Sequence, residues 1–211
     1  MTASVVVFDL GNVLIPWDIR RLYRDVITDP ADLDRFLGEV LTTEVNAQVD
    51  LGRPLAEVTN ELAERYPDDA ENIAVFRDRW VGCVSDPIPE TVAILTELVG
   101  AGVRCLALSN FGRDTFQSVE DRFAPVLGQF DGMVISGFEG VIKPDPAIYH
   151  LLCDRYEIEP ADAFFIDDSQ ANIAAANELG FETFHFPVPV ANGARDLREE
   201  LVGRGLLPAV P

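Results

Sequence analysis

The sequence predicts a doubly wound, parallel α/β sheet with a helical insertion after its first strand. Short apolar, β-branched runs recur along the chain, and from Pro87 onward they alternate with helical patterns. The stretch from about Pro16 to Asp86 contains no good strand and predicts the insertion.

Ser4 to Phe8 is a continuous apolar run closed by Asp9, as in a central strand buried on both faces. Similar runs lie at Val103 to Leu108, Met133 to Ile135, Ala163 to Ile166 and Phe181 to Phe186. Ile88, Val92, Leu95, Leu98 and Val99 form one apolar helical stripe, and Ala147, Ile148, Leu151 and Leu152 form another behind Pro146, which a first helical turn accepts. The alanine-rich helix from Ala171 to Leu179 stops at Gly180, a C-terminal capping residue. A last helix spans Asn192 to Leu207. Within the insertion, four or five amphipathic helices are expected. Asp18 to Ile27, Leu55 to Tyr66 and Asn72 to Val84 carry most of its apolar residues; Gly52-Arg53-Pro54 marks a break and Asp68-Asp69 a helix start. Residues 1–15 and 87–211 then form the core, and 16–86 a cap over the sheet's C-terminal edge, where open α/β sheets bind ligands.

The 211 residues carry 16 basic and 36 acidic side chains, a net charge of −20 that argues against nucleic-acid binding. No apolar run is long enough for a spanning helix, so no membrane association is expected. The opening Met1-Thr2-Ala3-Ser4 lacks a basic leader and a cleavage signature. Cys83, Cys105 and Cys153 read as separate buried thiols. Together these predict a cytoplasmic protein.

Four patches stand at predicted strand ends: Phe8 to Val13, Leu108-Ser109-Asn110, Val141 to Pro146 with Lys143, and Phe165 to Ser169 with Asp167-Asp168. Taken singly, Asp9 is a common turn residue, Ser109-Asn110 a helix cap and Lys143 an exposed loop lysine. In a parallel sheet, however, all four converge. Facing carboxylates repel unless a hard cation such as Mg²⁺ neutralises them, and the added lysine marks a place for a second anion. An aspartate beside a metal and a phosphoryl group can attack phosphorus and become phosphorylated.

These patches, with the stretches KPDPAIY and FIDDSQANIAAANELG, resemble the haloacid dehalogenase-like (HAD) hydrolase superfamily over essentially the whole chain. The resemblance implies a Rossmann-like core with an α-helical cap. It implies Asp9 as nucleophile, Ser109 and Asn110 as holders of the phosphoryl oxygens, and Lys143 as the neutralising cation. Mg²⁺ would be bound by Asp9, Asp168 and the Gly11 carbonyl, with Asp167 acting through a metal-bound water. The implied substrate is a small phosphorylated metabolite, and the FDLGNV wording is similar to a bacterial subgroup acting on glucose 1-phosphate.

Gly11 departs from the family pattern. Phosphatases of this kind carry an aspartate there as general acid–base, a role worth about 10²–10⁴-fold. Asp18 is the candidate replacement within the cap, and Trp17 and Arg20 are candidates for the pocket mouth. Two other readings stay open. One is a metal-independent 2-haloacid dehalogenase, whose halide leaves without a proton and against which the Asp167-Asp168 pair argues. The other is a catalytically weak binder of phosphorylated metabolites. The sequence leaves monomer and homodimer equally open.

Overall fold

The computed structural model describes residues 4–187 and 192–208. Met1 to Ala3, the stretch 188–191 and residues 209–211 lie outside it, so the reading of the N-terminal residues and the extreme ends of the core segments fall beyond the described chain.

The chain begins with β1 (Val5–Phe8) and enters the insertion through α1 (Ile19–Tyr23), α2 (Pro30–Arg35), a π-helical turn at Phe36–Val40, α3 (Thr43–Asp50), α4 (Leu55–Arg65) and α5 (Ala70–Arg79). It returns through α6 (Pro89–Gly100), β2 (Arg104–Ser109), α7 (Arg113–Gln117), α8 (Glu120–Leu127), β3 (Gly132–Ile135), α9 (Ser136–Glu139) and α10 (Pro146–Tyr156). It closes with β4 (Ala163–Asp167), α11 (Gln170–Glu178), β5 (Glu182–His185) and α12 (Gly193–Gly203). The five strands form one sheet in the order β3-β2-β1-β4-β5, all neighbours parallel.

Alternation along β1 explains the layers. Val6 and Phe8 face one side, with Ile94, Leu95 and Leu98 of α6 and Leu197 and Leu201 of α12. Val5 and Val7 face the other, with Ile148, Tyr149 and Leu152 of α10 and Ile173 and Ala176 of α11. All four β1 residues are buried, as the uninterrupted apolar run requires. The expected strands are all present, with ends shifted by a residue or so. The sequence pattern predicts no helix between β2 and β3, where the structure has α7 and α8. There the apolar stripes are short, α7 has five residues, and α8 contains Pro125.

The insertion is helical as expected, with shorter pieces. Asp18 to Ile27 yields only α1, after which the Val26 and Ile27 amides share the Tyr23 carbonyl (2.9 and 3.0 Å). Asn72 to Val84 splits into α5 and a 3₁₀ turn at Trp80–Cys83. The two chain crossings run side by side. The Asp18 amide donates to the Cys83 carbonyl at 2.8 Å, the Ser85 amide to the Pro16 carbonyl at 3.2 Å, and Trp17 bridges Val84 antiparallel. The insertion is thus a cap on a two-strand stem. No helix among the described residues is long and apolar enough to cross a membrane.

The turn between α3 and α4 seats the cap on the core. Asp114, on α7, accepts from the Leu55 amide at 2.7 Å and caps α4 where Pro54 offers no side-chain acceptor. Ser136 Oγ donates to the Asp50 carbonyl at 2.6 Å. Gly52 has φ +97°, and a Cβ there would stand 2.5 Å from the Gly137 carbonyl oxygen. Gly52→Ala is therefore expected to lower unfolding free energy by roughly 1–2 kcal/mol from the left-handed backbone alone, with more from the contact. Urea unfolding of the two proteins measures it.

Candidate active site

The centre of the sheet positions the acids. Asp9 is the first residue past β1, its amide still bonded to the Ile166 carbonyl of β4 at 2.8 Å. Asp167 is the last residue of β4, and Asp168 follows it. β1 lies between β2 and β4, where the strand order reverses direction, so these carboxylates stand at the topological switch point. One oxygen from each of Asp9, Asp167 and Asp168 lies within 4.8 Å of the others.

Lys143, in the loop before α10, binds this cluster from below. Its ammonium lies 2.9 Å from Asp9 Oδ1 and 2.6 Å from Asp167 Oδ2, and it donates to the Leu108 carbonyl at 2.8 Å. The side chain is 1% exposed. Burial alone lowers its pKa, but Asp167 and Asp9 more than offset this and hold it above the usual lysine value. Asn110 fixes the lysine's backbone: its Oδ1 accepts from the Lys143 amide at 2.8 Å and its Nδ2 donates to the Lys143 carbonyl at 2.9 Å. Both polar atoms of the Asn110 side chain are therefore engaged within the protein, while the residue still lines the cavity. Ser109 is buried at the end of β2, and the cavity wall beside it is made by Asn110 and Phe111.

Asp167 is fully buried and fully bonded. It accepts from Lys143, from the Ser169 amide at 2.8 Å, and from Asn172 Nδ2 at 3.0 and 3.1 Å. Asp168 reaches the cavity and accepts from Asn12 Nδ2 at 3.0 Å. Asn12 has φ +54°, a conformation asparagine tolerates, and its Oδ1 accepts from the Trp17 amide at 3.0 Å. His185 Nε2 lies 2.9 Å from the Asp168 carbonyl oxygen. Three carboxylates cluster beside one ammonium, and the ligand atoms they offer are all oxygens. That donor set fits a hard divalent cation, with Asp9, Asp168 and the backbone at Gly11 on the cavity side.

A cavity of about 670 Å³ opens above the cluster, between sheet edge and cap. Its cap side includes Trp17, Leu37, Leu41 and Trp80, with Arg20, Asn46 and Asp50 among the polar groups. Trp17 and Trp80 both line it, so the two tryptophans serve the pocket as well as the packing. Arg20 is largely exposed and paired with Asp34 at 2.7 Å. Asp18 is not part of the lining: its carboxylate caps α1 by accepting from the Arg20 amide at 2.9 Å. Asn12, Asn172 and Asp50 were not singled out in the sequence. The first two stand in the FDLGNV and FIDDSQAN stretches, which was the available signal; Asp50 had no local one.

The electrostatics follow from burial. Asp9 is pushed up to about 7, first by burial and then by Asp167 and Asp168, against the pull of Lys143. Asp168 is raised as well, mainly by burial, with its Asn12 bond opposing. The folded chain thus holds the Asp9 proton more tightly than the unfolded chain, whose value is 3.8. That contribution to stability is complete below the lower value and is lost as pH rises through the upper one. In chelator, melting temperature is expected to fall between pH 3.8 and about 7, and Asp9→Asn to flatten that slope.

Comparison with known proteins agrees with this fold. The chain is 26% identical over 203 residues to the sesquiterpene phosphatase AstK of Aspergillus oryzae, covering 96% of this chain and 98% of AstK. It is also 26% identical over 223 residues to mouse acyl-CoA dehydrogenase family member 10, covering 98% of this chain but 20% of that longer protein. Its fold superimposes on a HAD-family enzyme of Bacteroides thetaiotaomicron solved with magnesium and inorganic phosphate. The TM-score is 0.70 at 22% identity, covering 89% of this chain and 96% of that one. Residues 3–180 match the haloacid dehalogenase-like hydrolases, and the chain belongs to that family.

Proposed function

We propose that the chain is a magnesium-dependent phosphatase that hydrolyses a small phosphate monoester through phosphorylated Asp9. One observation carries the reading: Asp9 stands at the floor of the cavity with Oδ1 bonded to a buried ammonium and two further carboxylates beside it. Lys143 orients Asp9 and favours its anionic form, so that Oδ2 can attack phosphorus. Asp167 and Leu108 hold that ammonium, and Asn110 holds its backbone. Magnesium, when bound by Asp9, Asp168 and the Gly11 carbonyl, supplies charge neutralisation for the phosphoryl oxygens.

The acids beside Asp9 weigh against a metal-free dehalogenase, because a carboxylate substrate would meet an uncompensated negative cluster. Sugar phosphates, suggested by the FDLGNV wording, are one substrate class. The apolar walls supplied by Ile15, Trp17, Leu37, Leu41, Trp80 and Phe111 favour a second, a phosphate ester with an apolar body. The name of the relative AstK points the same way.

The decisive assay measures phosphate release from glucose 1-phosphate and from farnesyl phosphate. Release is expected with Mg²⁺ and not with EDTA. Halide release from 2-chloropropionate without metal supports the dehalogenase, and silence in both assays supports the binder. Asp9→Asn is expected to cut turnover by roughly 10³-fold or more. Gly11→Asp should fold, since a Cβ there meets Asp9 Oδ2 at an ordinary 3.6 Å. It is expected to raise the rate on esters whose leaving oxygen needs a proton.

A further inference from the structure

Glycine at position 11 leaves the reaction proposed above without a proton donor, and the inference here rests on that reaction. An alkoxide is a poor leaving group unless it is protonated as its bond to phosphorus breaks. A replacement must be a titratable group that lines the cavity and is not already committed to the metal-binding cluster.

The carboxylates among the described lining residues are Asp9, Asp50 and Asp168. Asp9 and Asp168 belong to the cluster, and Asp50 stands outside it. Asp50 is the last residue of α3 and projects from the cap side. It has no ion-pair partner among the described residues, unlike Arg20 at the same cavity. Its Oδ2 accepts from Asn46 Nδ2 at 2.9 Å, one helical turn back. Its backbone is stitched to the core, since its carbonyl accepts from the Ser136 hydroxyl, and Ser136 Oγ in turn accepts from the Phe111 amide at 2.9 Å. The position of the carboxyl is therefore set by both halves of the molecule.

The surroundings keep it protonatable near neutrality. Burial raises its pKa first and the charge of Asp9 second, to about 7, against Asn46, the Gly112 amide and Lys143. These are the charged and bonding groups that act on it from the core and from its own helix.

We propose that Asp50 is the general acid–base of this enzyme, filling from the cap the place left empty by Gly11. In the first step Asp9 Oδ2 bonds to phosphorus, the phosphorus–ester oxygen bond breaks, and the Asp50 proton passes to the departing oxygen. In the second, a water gives its proton to the Asp50 carboxylate as its oxygen bonds to phosphorus. The phosphorus–Asp9 bond breaks, inorganic phosphate leaves, and both aspartates return to their starting states.

The test compares phenyl phosphate, whose leaving group needs a proton, with 2,4-dinitrophenyl phosphate, whose leaving group does not. Asp50→Asn keeps size and the Asn46 contact, and its melting curve reports folding. For phenyl phosphate, kcat/KM is expected to fall by about 10²-fold or more, and for the dinitrophenyl ester by less than about tenfold. Slowed hydrolysis of phosphorylated Asp9 should give the variant a burst of about one equivalent of dinitrophenol. Gly11→Asp in the Asp50→Asn background should restore phenyl phosphate turnover. Equal losses on both esters, a change in KM alone, or absence of a burst overturns the proposal. If the unaltered chain with Mg²⁺ releases phosphate from neither ester, the phosphatase reading fails first and Asp50 has no such role.

Discussion

A single buried ammonium holds the centre of this molecule together. Lys143 is almost wholly buried, and each of its hydrogen bonds goes to the C-terminal edge of the sheet: Asp9 after β1, Asp167 at the end of β4, and the Leu108 carbonyl of β2. Removing it would leave Asp9 and Asp167 buried side by side without compensation, a situation that typically costs several kcal/mol. The arrangement therefore constrains three strands at once. The asparagines complete it, Asn110 on the lysine backbone, Asn172 on Asp167 and Asn12 on Asp168. Each is neutral and donates to oxygen without adding a charge, so the cluster keeps its excess of negative charge facing the cavity.

The sheet framework was legible because its signal is local. A run such as Val5-Val6-Val7-Phe8 can be satisfied only by burial on both faces, and an acid directly after it must sit at the strand end. The same logic located Asp167-Asp168 and the central position of the first strand. The cap's short helices were less legible. The π-helical turn at Phe36–Val40 and the split after Arg79 have no signature in the local residue pattern. Propensity alone does not encode such endings.

At the site, identity was easier to read than employment. Asn110 stands where the sequence places it, but its side chain reaches across 33 positions to the Lys143 backbone, a pairing that only the folded sheet creates. Asp50 is the opposite case. It ends an ordinary amphipathic helix with no motif around it, and it acquires chemical interest only when the fold places it on the wall of the cavity that holds Asp9. Asp18 looked nearer in sequence, yet the start of a helix claims its carboxylate.

The turn from Asp50 to Leu55 has a dual attachment whose effect is on the alignment of cap and core. Each of its hydrogen bonds to Ser136 and Asp114 is individually modest, on the order of 1 kcal/mol net, but together they fix where the turn sits against α7 and α9. A change at Ser136 would therefore be felt in the cavity through the backbone of Asp50, which forms part of the wall.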